Sequence, residues 1–157
     1  MASRALSTVK KTLREYADRG IFRGLAERRL GRGAVEFDFL WLTERQVRLV
    51  FDPKSTSLRV RDLLPDVSVR SQLYAELREL VESRQDGALP KHRMVDSNRA
   101  VARLANRNGS VSLVLTVRNN QYRYGVRKIL NLVNEIFVFL HGSHVEYMWE
   151  HFDVPQE

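Results

Sequence analysis

The chain has 157 residues, 43% of them hydrophobic and 29% charged, which fits one globular domain that can bury a core without crosslinks. It contains no cysteine, which excludes disulfides, thiol catalysis and cysteine-containing zinc sites and is compatible with a reducing cytoplasm. The net charge of +7 is uneven: residues 1–33 carry +6, 34–66 −1, 67–90 −1, 91–128 +8 and 129–157 −5.

In chain order, the opening Met1 to Ser7 has no apolar core of a secretory signal. The longest strongly apolar run, Ile136 to Leu140, is far too short to span a bilayer. Ser3 is placed to cap a first helix over about 4–19, with Leu6, Val9, Leu13 and Tyr16 near one face and Gly20 as its stop. Residues 20–33, rich in Gly and Arg, read as a loop or as a short helix using Phe22, Leu25 and Leu30. Ala34 to Leu42 then alternates as a strand, with Val35, Phe37, Phe39 and Trp41 on one face. A turn at Thr43-Glu44-Arg45 would set Phe39 against Leu49 and Phe37 against Phe51, and a second turn at Pro53 to Thr56 sets Phe51 against Leu58 and Leu49 against Val60. One register puts every apolar residue on one side, which predicts a three-stranded antiparallel meander over 34–63.

Pro65, Asp66 and Ser68 open a second helix over about 68–84, with Val69, Leu73, Leu77 and Leu80 as its stripe, followed by a loop over 85–98. Asn108-Gly109 is a two-residue hairpin turn that sets Leu104 against Leu113, Ala102 against Leu115 and Ala100 against Val117. Asn119-Asn120 offers a further such turn, which would bring Tyr122 and Tyr124 back as a third strand. A third helix over about 125–141 carries an apolar arc from Val126 to Leu140 that covers about half its circumference and needs a sheet, a helix or a second subunit over it. Gly142 ends it, and Ser143 with Glu146 forms a capping-box pattern for a short helix over about 144–151. The predicted class is α+β, a single domain of order α-βββ-α-βββ-αα, with an antiparallel sheet from two three-stranded meanders and helices on one face.

This order, with Phe37-Asp38-Phe39-Leu40-Trp41-Leu42 as first strand and Val126 to Leu140 as last helix, resembles the α–βββ–α–ββ–α arrangement of type III secretion chaperone-like domains over residues 4–141. The resemblance implies homodimers that bind extended partner segments, and it implies no catalytic residues. The chain departs from it in being strongly basic where such chaperones are usually acidic, and in adding a short strand and a terminal helix.

In the predicted register Arg99, Arg103, Arg118 and Arg123 point away from the core, with Arg99 directly opposite Arg118, and Arg127 and Lys128 follow at the positive end of the third helix. Like charges so placed suit an anionic ligand or partner, unless Glu146, Glu150 or Asp153 folds back onto them. Tyr122 and Tyr124 interleave with Arg123, but the pleat of a strand would put both on the core face. His141, His144 and His151 gather near the C-terminus, yet seven residues separate the last two and do not converge on a metal. Glu36 and Asp38 share the outer face of one strand without a sign of a dry catalytic cleft. No nucleophile elbow, phosphate loop or dinucleotide fingerprint is present, and no cofactor is implied. The leading expectation is a non-enzymatic protein-binding module, chaperone-like and homodimeric, which binds another protein. The alternative is a protein that binds nucleic acid through the basic sheet face by non-specific electrostatics.

Overall fold

The structure, a computed structural model, describes residues 2–41, 45–85, 89–90 and 94–152. Its elements are α1 (Ala2–Asp18), β1 (Arg23–Gly31), β2 (Ala34–Trp41), β3 (Arg45–Asp52), β4 (Ser57–Leu64), α2 (Gln72–Ser83), β5 (Ala100–Arg107), β6 (Ser110–Val117), α3 (Tyr122–Ser143) and α4 (Val145–Phe152). The strands form one antiparallel sheet in the order β1-β2-β3-β4-β6-β5. The α+β class and the six strands agree with the sequence reading, but their distribution does not. The order is α-ββββ-α-ββ-αα.

Two local readings account for the difference. Residues 23–31, expected to be a loop or short helix, are the edge strand β1. An edge strand is wet on its rim, so β1 lacks the apolar alternation that marks a half-buried strand, and only Leu25 reaches the core. Asn119 and Asn120 do take positive φ, 54° and 56°, but the chain they redirect becomes α3 rather than a strand. The 3.6-residue stripe explains this outcome: Tyr122 sits four residues before Val126 and extends the buried line through Ile129 and Val133.

α1 ends at Gly20 (φ 78°), where the Ile21 N–H reaches the Tyr16 carbonyl and the Gly20 N–H reaches the Ala17 carbonyl, both at 3.0 Å. The expected cap by the Ser3 side chain falls outside what the structure describes. Phe22 then turns inward and stacks on Phe39, ring centroids 4.0 Å apart. β2 and β3 pair Phe39 with Val47 and Phe37 with Leu49, two residues away from the expected register. A shift of two leaves every side chain on its predicted face, so the core is unchanged. The expected pairs Phe51–Leu58, Leu49–Val60, Leu104–Leu113, Ala102–Leu115 and Ala100–Val117 are all present. α2 begins later than expected. Its cap is Ser71, whose Oγ accepts the Tyr74 N–H at 3.1 Å, and Val69 is left exposed outside the helix. α3 runs one residue past Gly142.

The helices all pack on one sheet face, where Val9, Leu13, Tyr74, Leu77, Val126, Ile129, Val133, Met148 and the inward strand residues form a single core. The wide apolar arc of α3 is covered inside the chain by β4, β6, α1, α2 and α4, and Val138 alone among its large apolar residues stands 63% exposed. The homodimer expectation rested on that arc, so it must look to another surface. Among the described residues no helix is long and apolar enough to cross a membrane.

Candidate functional site

Among the described residues, no helix lies on the opposite face of the sheet. Strand pairing lays one row of residues straight across it: Arg28, Glu36, Val50, Arg59, Val114 and Arg103. Arg48 stands beside Asp38 in the neighbouring row. Arg48, Arg59 and Arg103 are exposed and make no ion pair with a described residue. Strand spacing places Arg59 and Arg103, two strands apart, about 10 Å from each other. Val114 is nonetheless 2% exposed and Val50 9%. No described helix lies above them, and arginine stems can cover apolar surface of this kind while keeping their heads in water.

Glu36 lies in the same row, 1% exposed, and its two carboxylate oxygens accept hydrogen bonds from Arg28 (2.7 Å) and Arg61 (2.8 Å). It thus neutralises two arginines and leaves Arg48, Arg59 and Arg103 as the receptive cations. Asp38, two residues along β2, has a buried Oδ1 without a hydrogen-bond partner. Burial pushes its carboxyl above the usual range, the Glu36 carboxylate adds to this, and Arg48 and Arg28 oppose it. A raised folded value means that the folded state holds the proton more tightly than the unfolded chain. The associated stability is full below the ordinary carboxylate range, near pH 4, and is lost as pH rises through the folded value. Asp38→Asn cannot ionise, so it is expected to be more stable than the wild type at pH 7, with the advantage vanishing near pH 3. Urea unfolding at the two pH values checks this, and an equal difference at both would contradict it.

The six basic residues singled out from the sequence separate into two groups. Arg103 remains on the outer sheet face, as expected. Arg99, Arg123, Arg127 and Lys128 instead line a cleft of about 450 Å³ at the start of α3, around Tyr124. Arg118 is exposed in the turn beside it, where its N–H bonds the Arg99 carbonyl at 2.8 Å, so the two residues are opposed as predicted. Their side chains, however, do not share the outer face. Arg99 lies over the Tyr124 ring at 4.6 Å, and Arg123 sits on a helix and ion-pairs with Glu15 of α1. Tyr122 is core, facing Phe51, while Tyr124 is half-buried and its hydroxyl accepts the Asp96 N–H at 2.8 Å. The acidic helix α4 does not fold back on this cluster. It is tied elsewhere, by Tyr147 to the Pro65 carbonyl (2.6 Å), His144 to Glu76 (3.1 Å) and His151 to Asp66 (3.3 Å). Asp153 lies outside the described residues.

The histidines therefore serve separate contacts, and no group of three metal-ligating side chains occurs among the described residues. Arg48 and Arg59 are absent from the site expected from the sequence, although their outward positions follow from the same alternation that locates the core. The edges of the sheet are both defended. β1 carries Arg23, Arg28 and Arg29 and register irregularities at each end, and Gln85 closes the rim of β5 with a donor and an acceptor to Ala102. The outer face is a broad surface that no described helix covers. No family model, curated protein or solved structure matches the chain.

Proposed function

We propose that this protein is a non-enzymatic binding module that docks an acidic segment of a partner protein on the outer face of its sheet. The observation that carries this reading is the outer face, free of any described helix, on which Arg48, Arg59 and Arg103 stand exposed without an ion pair to a described residue, beside the buried Val50 and Val114. Such a face offers charge-assisted hydrogen bonds above a thin apolar layer, a combination suited to polypeptide. Val50 and Val114 interrupt the cations of the row across this face, so it is not the unbroken track of charge that a phosphate backbone follows, which ranks nucleic acid second. The resemblance to secretion chaperone-like domains, which bind extended partner segments, points the same way. A homodimer remains part of that resemblance, and light scattering against the 18.3 kDa chain mass reads it directly.

The test is fluorescence anisotropy with a labelled oligo-glutamate peptide and with labelled single-stranded DNA, each at low and near-physiological salt. The triple substitution Arg48→Ala, Arg59→Ala and Arg103→Ala is expected to weaken peptide binding at least tenfold, since three charge-assisted contacts are lost at once. Alanine also removes the stems beside Val50 and Val114, so thermal melting checks that the variant folds before its binding is read. DNA is expected to bind at low salt only, as any basic protein attracts a polyanion. DNA binding that survives physiological salt and disappears in the triple variant would reverse the assignment. Peptide binding unchanged by the substitutions would remove the outer face from consideration.

A further inference from the structure

A second site lies off the outer face, in the cleft where α3 begins. We infer that it binds a phosphoryl dianion, either inorganic phosphate or the terminal phosphate of a small monoester. Four cations line this cleft and, among the described residues, no carboxylate does. Arg123 is answered by Glu15. Arg99 and Arg127 make no ion pair with a described residue, and both are exposed. Asp96, an acid of the preceding loop, accepts the Asn98 N–H on its Oδ1 at 3.0 Å. Glu135 of α3 is bonded by Arg84 at 2.6 Å and acts on Lys128 electrostatically.

Lys128 shows what this crowding does. It is 9% exposed and its Nζ lies 5.5 Å from the Tyr124 ring. Burial lowers its pKa, Glu135 works against that, and the like charges of Arg127 and Arg99 lower it further. Cations collected from a loop and a helix, around one aromatic ring and at the positive end of a long helix, repel one another; Glu15 pairs with Arg123, and an anion held between Arg99 and Arg127 would relieve these two. A phosphate monoester brings a charge of about −1.5 to −2 and three acceptor oxygens, which matches two open guanidinium forks. The Gln121 and Asn131 amides in the lining can add donors. A carboxylate offers a single charge, and a nucleic-acid strand needs a track of cations rather than one compact cluster.

The experiment is isothermal titration of the full chain with inorganic phosphate, phenyl phosphate and acetate, at pH 8 and constant ionic strength in chloride. Saturable one-to-one binding of phosphate, with acetate at least tenfold weaker, is the expected result. Arg99→Gln with Arg127→Gln should reduce phosphate affinity at least tenfold, and thermal melting confirms that the variant folds. Tighter binding of phenyl phosphate than of inorganic phosphate would identify a monoester as the source, and the reverse would identify the free ion. The outer-face variant, Arg48→Ala with Arg59→Ala and Arg103→Ala, should bind phosphate like the wild type, so this site and the protein-docking face fail or stand separately. Equal binding of acetate and phosphate would overturn the inference. So would phosphate binding that survives Arg99→Gln with Arg127→Gln, or that falls equally in the outer-face variant.

Discussion

Gly125→Leu is expected to cost at least about 3 kcal/mol of stability, while Gly125→Ala should range from neutral to a loss of about 2 kcal/mol. In an exposed helix the alanine change would gain roughly 1 kcal/mol, because glycine is a poor helix former. Here α3 crosses the sheet at Gly125 so closely that a Cβ would meet Val117 Cγ2 at 2.8 Å, Leu115 Cδ2 at 3.2 Å and Leu58 Cδ1 at 3.3 Å. These atoms belong to the core, where volume cannot be absorbed without off-rotamer side chains. Leucine adds three further carbons to the same filled space. For a chain of this size each kcal/mol lowers the melting temperature by roughly 2–4 °C, so thermal melting resolves the series. Val117→Ala removes the nearest clashing methyl and should recover part of the loss in the Gly125→Ala background. Gly125→Ala melting above the wild type would show that the helix stands off the sheet. The tight crossing also fixes where the start of α3 lies, and so where Arg123, Arg127 and Lys128 project.

Much of the fold around this crossing is legible in the sequence, and the reasons differ by element. The inward faces of β2 to β6 can be read because their alternation and turn chemistry agree, as at Asn108-Gly109, where φ is 53° and 91°. The two-residue shift between β2 and β3 is invisible in the pattern because it preserves both faces. β1 escapes detection because an edge strand that is exposed almost throughout has no period to find. The start of α3 is ambiguous because Asn119-Asn120 specifies a turn in the chain but not whether a strand or a helix leaves it. The functional surfaces inherit these ambiguities. Assigning 122–124 to a strand puts Arg123 on the outer face with Arg103, whereas the helix carries it to the opposite side of the molecule to pair with Glu15. The cluster of Arg99, Arg127 and Lys128 survives as a group because the like-charge argument depends on proximity, and helix and strand both keep those residues close.

Gln85→Ala is expected to lower stability by about 1–3 kcal/mol and to make the protein associate with rising concentration. Gln85 follows α2, and its side-chain amide behaves like one peptide unit of a further strand. Its Nε2 donates to the Ala102 carbonyl at 3.1 Å, and its Oε1 accepts the Ala102 N–H at 3.0 Å. The backbone fastens the same junction, with the Val95 N–H on the Arg84 carbonyl at 2.7 Å. Alanine leaves a donor and an acceptor of β5 unpaired at a partly buried rim, and these are the groups that template pairing with another chain. Gln85→Glu separates the two bonds. Its carboxylate still accepts the Ala102 N–H but cannot donate to the carbonyl, and it faces that oxygen with like charge. Once protonated, near or below pH 4, the neutral acid regains a donor. The folded state therefore holds that proton more tightly than the unfolded chain, and the stability it supplies is lost as pH rises through the folded value. Gln85→Glu should lie closer to the wild type at pH 4 than at pH 7, while Gln85→Ala should show the same deficit at both. Hydrogen exchange at the Ala102 amide reads the contact directly. Exchange as slow in Gln85→Ala as in the wild type would mean that the rim of β5 is protected by something other than this side chain.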